Sequence, residues 1–116
     1  MDKLRYSIIY AVIRPEISER ISVGLITIAD GTVDIRYSES KLKALEHLYP
    51  KAQYEFISKV VRSMPKRKQI HTANDIDYLT RYSNNLISIS QLQTIDMKPD
   101  AKNKEWLYRS YVHSAE

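Results

Sequence analysis

Residues 20–37, RISVGLITIADGTVDIRY, decide the fold of this chain. Two apolar runs rich in β-branched residues flank an Asp-Gly pair, which is the strongest short-range signal of a β-hairpin. A two-residue type I′ turn fixes the register of the strands Arg20–Ala29 and Thr32–Tyr37. The expected cross-strand pairs are Ile28 with Val33, Ile26 with Ile35 and Gly24 with Tyr37 on one face, and Thr27 with Asp34 and Leu25 with Arg36 on the other.

Gly24 lies in the interior of the first of these strands, where a glycine weakens a sheet. We expect the ring of Tyr37, on the opposite strand, to lie over the position that lacks a side chain. The alternative is that Gly24 lets a ligand or a partner backbone approach closely, but no other phosphate-cradling glycine is nearby. The sequence therefore favours a packing role.

The rest of the pattern predicts an α+β protein. An upstream strand, residues 6–13, is apolar on both faces and ends at Arg14-Pro15, which indicates an internal strand. Helices are expected from Ser38 or Ser40 to Tyr49, over 51–64, over 71–85 and over 104–114, with a strand over 85–95. We expect one domain, residues 1–116: an antiparallel sheet of about four strands that begins with an N-terminal meander, packed with three to four helices on one or both faces.

The composition is that of a soluble cytoplasmic protein. Hydrophobic residues make up 43% and charged residues 28% of the 116 residues, which is ordinary for a globular protein. No apolar run approaches the roughly 20 residues that span a membrane, and no cleavage site for a signal peptide follows the first strand. The lack of cysteine fits a reducing compartment. The net charge of +4 permits an acidic partner or nucleic acid and requires neither.

Motifs for catalysis or cofactor binding are missing from the sequence. Two glycines in the whole chain make a phosphate-cradling loop a poor expectation. The histidines at 47, 71 and 113 have no metal-ligand spacing. Glu16 and Glu19 have the chemistry of an acid–base pair, but we expect them to form surface ion pairs with Arg14 and Arg20. We therefore predict no catalytic residue, no metal and no cofactor.

One stretch concentrates positive charge without an intervening acidic residue. Its cations are Lys59, Arg62, Lys66, Arg67 and Lys68. Such a cluster can track the phosphates of a nucleic acid, can bind an acidic protein surface, or can be a solvated loop whose cations suit the end of a helix. The sequence leaves these three alternatives open.

The segment YSIIYAVIRPEISERISVGLITI resembles the opening of a family of small uncharacterised bacterial proteins, domain of unknown function 3037. The matching features are an apolar strand with tyrosine, Glu19 in a charged segment, and the pattern around Gly24. Further matches are YSESKLKALEHLYP, LISIS and LYRSYV. Members often have asparagine where Ser22 stands, which is a departure from the family pattern. The resemblance implies no established activity, but relatives encoded beside HipA-like kinases imply an accessory or toxin–antitoxin role.

We therefore expect a non-enzymatic interaction or accessory module whose partner is another protein. The nine tyrosines suit half-buried faces and interfaces. The alternative function is nucleic-acid binding through the Lys59–Lys68 cluster. No membrane partner is expected, and the oligomeric state stays open.

Overall fold

The computed structural model describes residues 3–29, 31–66 and 86–113. Its sheet contains five antiparallel strands in the described residues. They are β1 (Leu4–Arg14), β2 (Glu19–Ala29), β3 (Thr32–Tyr37), β4 (Ile87–Ile89) and β5 (Gln93–Ile95). The strand order is β3-β2-β1-β4, and β5 also pairs with β1. The predicted antiparallel sheet with an N-terminal meander is confirmed.

The hairpin of β2 and β3 has the predicted register. All five expected pairs are present, including Gly24 with Tyr37 and Leu25 with Arg36. Gly31 has a φ of +77°, a left-handed conformation that glycine adopts without a steric penalty. The glycine in the turn and the alternation of the two strands therefore both indicate the register that the structure has.

A β-bulge changes the alternation of β2 next to Gly24. Ile9 on β1 pairs with Gly24, but the next residue, Tyr10, pairs with Ser22, so Val23 is the extra residue. A one-residue insertion moves the following side chains to the other face. Ile21 and Val23 therefore lie on the same side of the sheet as Ile26, although their positions have opposite parity.

The predicted strand 85–95 is divided into the two short strands β4 and β5. The segment between them has one residue more than the part of β1 that it faces. Ile9 pairs with Ile89, whereas Tyr6 pairs with Gln93, so the register shifts by one residue. Ser90 lies at the interruption, and its hydroxyl accepts a hydrogen bond from the Ile8 N–H at 2.8 Å. A side-chain oxygen thus replaces a backbone partner, which the alternation of the sequence alone does not reveal.

Three α-helices are described: α1 (Glu39–Ala44), α2 (Lys51–Ser63) and α3 (Ala101–Tyr111). Ser38 caps α1 by accepting from the Lys41 N–H at 3.2 Å, and a 3-10 turn, Leu45–His47, follows α1. The predicted end of this helix at Tyr49 is therefore too late. The closing helix begins three residues before its predicted start because Asp100 caps it, at 2.8 Å from the Asn103 N–H. The helix expected over 71–85 lies outside the described residues.

The helices cover both faces of the sheet. The hydrophobic cluster on one face contains Leu42 of α1 together with Ile57 and Val61 of α2. The cluster on the other face contains Leu107 and Tyr108 of α3. The sheet is therefore a middle layer, and α3 is alone on its face among the described helices. None of these helices is long and apolar enough to cross a membrane.

Gly24 is buried at a close approach of β1 and β3. A Cβ atom built on it would lie 3.0 Å from the Arg36 carbonyl oxygen and 3.0 Å from Cδ1 of Ile9. These atoms are nearer to that position than any atom of the Tyr37 ring. The need for glycine therefore arises from Ile9 and the Arg36 backbone. The expectation that the Tyr37 ring lies over Gly24 stays a prediction.

Candidate interaction surface on the last helix

The inner face of α3 is anchored in the core. Leu107 and Tyr108 are 0% and 1% exposed, and they pack with Leu4, Ile8 and Leu25 of the sheet. A helix has about 100° between successive residues, so two adjacent buried residues define the direction that faces the sheet. The burial of Leu107 and Tyr108 therefore determines which side chains of α3 point away from the sheet.

Ion pairs flank this anchor along β3. Lys104 Nζ lies 2.6 Å from Asp34 Oδ2, and Arg36 pairs with Glu105. The Arg36 guanidinium also lies over the Tyr108 ring, 3.7 Å from its centroid, a cation–π arrangement. The hydrogen bond from Arg36 lowers the pKa of Glu105 below its ordinary value of 4.5, and one from Arg109 adds to this effect.

A groove of about 310 Å³ lies between β3 and α3. Its lining residues are Leu25, Thr27, Asp34, Arg36, Ala101, Lys104, Glu105 and Tyr108. The four charged groups of this lining are already paired with each other. A charged ligand would therefore compete with these internal ion pairs for the same side chains.

The C-terminal end of α3 is held by aromatic and backbone contacts. The Tyr111 ring stacks on the Tyr6 ring, with centroids 5.6 Å apart and planes at 14°. The Ser22 hydroxyl donates to the Tyr111 carbonyl oxygen at 2.5 Å. Burial raises the pKa of Tyr6, and its hydrogen bond with Tyr111 raises it further. Ser22 thus links β2 to α3.

Four residues form what we call the outer face of α3: Lys102, Trp106, Arg109 and Ser110. All four are exposed. Trp106 is 48% exposed although the next two residues along the helix are buried. Its ring makes no stacking contact and its indole N–H makes no hydrogen bond with the described residues. Lys102 and Arg109 lie one turn before and one turn after it on the same side.

The outer face of α3 carries positive charge that is not fully neutralised. Lys102 makes no ion pair with the described residues. Arg109 donates from Nε to Glu105 at 3.0 Å, and its two terminal nitrogens make no hydrogen bond in the described part of the chain. Glu105 itself lies on the flank towards the sheet and also pairs with Arg36. The exposed tryptophan therefore lies between two cations.

Three of the five residues of the predicted basic cluster, Lys59, Arg62 and Lys66, lie within the described residues. Arg62 binds both carboxylate oxygens of Glu39, at 3.0 and 2.9 Å. This pair lowers the pKa of Glu39 and raises that of Arg62. Lys59 is exposed. Lys66 ends a short 3-10 turn, and Arg67 and Lys68 lie outside the described residues.

The carboxylates and histidines do not form a chemical site in the described part of the chain. Arg14 lies 3.8 Å from Glu19, as expected, but Arg20 instead lies over the Tyr10 ring at 3.9 Å. Glu16 and His47 are exposed, and His71 lies outside the described residues. No group of three or more potential metal ligands occurs within residues 3–29, 31–66 and 86–113.

Trp106 is the residue that sequence reasoning missed. The spacing that predicts the closing helix uses Leu107 with Tyr111 and Tyr108 with Val112. The same spacing places Trp106 on the opposite side, since it lies about 150° from the midpoint of Leu107 and Tyr108. Helical periodicity therefore contained a signal for this residue: Trp106 is the one aromatic side chain of residues 104–114 that does not belong to the predicted buried stripe.

Comparisons with protein-family models, with curated proteins and with solved structures found no match to this chain. The resemblance to domain of unknown function 3037 therefore stays a prediction.

Proposed function

We propose that this chain is a non-enzymatic bacterial accessory module that acts in the cytoplasm and binds another protein through the outer face of α3. The observation that carries the proposal is Trp106, which is 48% exposed although the next two residues of the helix, Leu107 and Tyr108, are 0% and 1% exposed. A large aromatic group held on a fixed support has little conformational freedom to lose on binding.

Tryptophan and arginine are the residues that most often dominate the energetics of protein interfaces. Trp106 combines a large apolar ring with an indole donor that makes no hydrogen bond with the described residues, and Arg109 lies one turn away. Since Leu107 and Tyr108 fix the helix, a partner meets this pair in one orientation. This arrangement suits the centre of an interface with a polar rim.

The proposed partner is a HipA-like kinase or another component of a toxin–antitoxin system. This part of the proposal rests on the sequence resemblance alone. It is compatible with an accessory protein that contributes a binding surface and no catalytic group.

The test is recovery of the partner from the source cell by tagged chains. Trp106→Ala removes the proposed contact, and Phe56→Ala is the matched control, because Phe56 is 45% exposed on α2, in the opposite layer. We expect the unchanged chain and the control to recover the same protein and Trp106→Ala to recover at least tenfold less, since a hot-spot residue contributes about 2 kcal/mol or more. Equal recovery by Trp106→Ala would exclude the outer face of α3, and recovery of no protein by any chain would exclude an interaction module.

The second candidate function is nucleic-acid binding through the Lys59–Lys68 cluster. One observation favours it: Lys59 is exposed and makes no ion pair with the described residues. Titration with labelled single-stranded RNA and duplex DNA at low and high salt tests it. Affinity that falls steeply with salt and is weakened by Lys59→Glu supports this function. No binding at low salt contradicts it.

A further inference from the structure

We infer that the surface bound by the outer face of α3 is an acidic protein surface, with carboxylates around an apolar site that receives Trp106. The inference rests on the proposed function and adds the chemistry of the partner. It follows from the charges next to Trp106 and from the way in which the other charges of this helix are paired.

The four residues of the outer face of α3 include two cations and no carboxylate, and Glu105 borders this face beside Arg109. Lys102 and Arg109 lie on either side of Trp106, and the fourth member of the face is Ser110. The acidic residue of the helix, Glu105, is shared by Arg36 and Arg109. The capping carboxylate, Asp100, lies at the start of the helix and binds the Asn103 N–H at 2.8 Å. A partner therefore meets positive charge around the indole ring.

The same features favour a protein over a nucleic acid. Binding to a nucleic acid depends on many phosphate contacts, and this face offers two cations, one of which also binds Glu105. Elsewhere on the described surface, Arg36, Arg62 and Lys104 are paired with carboxylates of this chain, whereas Lys59 makes no ion pair with the described residues and lies on α2, in the opposite layer. With few free cations and one large apolar group, the face matches a protein interface in which the aromatic group provides affinity and the charges select the partner.

The first experiment measures the charge around Trp106 in the free protein. Trp106 is the single tryptophan of the chain, so its fluorescence reports on this face. The quenching constant of each ion is divided by its value for free N-acetyltryptophanamide, because iodide is intrinsically the stronger quencher. At low salt, the normalised constant should be larger for iodide than for caesium, because cations concentrate the anion. Lys102→Glu should abolish the difference. Lys59→Glu is the matched control, since it changes the net charge equally but lies on α2, and it should leave most of the difference. Equal normalised constants for the two ions, or equal effects of the two variants, would overturn the inference.

The second experiment tests the partner class with defined probes. Trp106 emission is followed while an amphipathic Glu/Leu peptide, its Lys/Leu counterpart, polyuridylate RNA and anionic vesicles are added in turn. We expect the Glu/Leu peptide to shift the emission and Lys102→Glu to weaken its binding on the order of tenfold at low salt and less at high salt. A shift by RNA or by vesicles without a shift by the Glu/Leu peptide would overturn the inference.

The two proposals fail in different ways. If Trp106→Ala loses the cellular partner while Lys102→Glu recovers it as well as the unchanged chain at low salt, the proposed function stands and the acidic partner does not. If Trp106→Ala also recovers the partner, the outer face of α3 is not the binding surface and both proposals fall.

Discussion

At the level of single residues, Gly24 shows how a local weakness in a strand can serve a tertiary contact. Glycine in a strand offers no side chain to pack, yet here a side chain would meet Ile9 from one neighbouring strand and the Arg36 carbonyl oxygen from the other. The first neighbour is the end of a flexible side chain, whereas the second is backbone that is held in the sheet. The Ile9 side chain can therefore move to make room for an added Cβ atom, whereas the Arg36 carbonyl oxygen cannot.

We predict that Gly24→Ala destabilises the fold by about 1–3 kcal/mol, the usual cost of overpacking a core. Ile9→Val removes the Cδ1 atom that lies 3.0 Å from the added Cβ. The penalty of Gly24→Ala should therefore be smaller in the Ile9→Val background but should not vanish. Urea unfolding of the four members of this double-mutant cycle measures the coupling. An unchanged penalty would show that Ile9 plays no part in the requirement for glycine.

At the level of elements, α3 has a buried side and an exposed side. Leu107 and Tyr108 attach it to the sheet, while Trp106 and its neighbouring cations face away. The flanking ion pairs are partly exposed, and such pairs contribute little to stability. The burial of the inner face therefore carries the attachment of the helix, and the outer face is available for binding.

We predict opposite effects for two adjacent substitutions in α3. Leu107→Ala should cost about 2–5 kcal/mol of unfolding free energy, because it removes a completely buried side chain. Trp106→Ala should change the stability of the free protein by less than about 0.5 kcal/mol, as is usual for surface positions. Denaturant unfolding of both variants provides the comparison. A large loss for Trp106→Ala would mean that the ring has a structural role.

At the level of the whole molecule, carboxylates on both faces of the sheet respond to pH. Hydrogen bonds from Arg62 lower the pKa of Glu39 on one side, and those from Arg36 lower the pKa of Glu105 on the other, each from an ordinary value of 4.5. The folded state therefore favours the ionised form of both. Their contribution to stability is complete above about pH 4.5 and is lost as the pH falls through the lowered pKa values.

We predict that the protein loses stability in acid and that Glu105→Gln makes this loss smaller. Urea unfolding near neutral pH and at about pH 3 measures the difference. Glu16→Gln is the matched control, since Glu16 is exposed and makes no ion pair with the described residues, and it should leave the pH dependence unchanged. A loss in acid that is the same for all three proteins would contradict a role for Glu105.

Much of the architecture was predictable because it depends on local chemistry. The Asp-Gly turn and the alternation around it predicted five of the six pairs of the β2–β3 hairpin, and the proline at position 50 separated the first two helices. One error arose where a distant group replaces a local one: the hydroxyl of Ser90 interrupts the last predicted strand by bonding the Ile8 N–H.

The sequence by itself determined the antiparallel α+β fold, since turn residues, alternation and helical periodicity act over neighbouring positions. The tertiary structure decided which faces of the elements remain open. The bulge at Val23 depends on β1, and the exposure of Trp106 depends on the burial of Leu107 and Tyr108 against the sheet. Both outcomes depend on contacts between residues far apart in the chain. The bulge leaves no local pattern, whereas helical periodicity places Trp106 opposite Leu107 and Tyr108, and the packing of those two residues on the sheet decides which side is exposed.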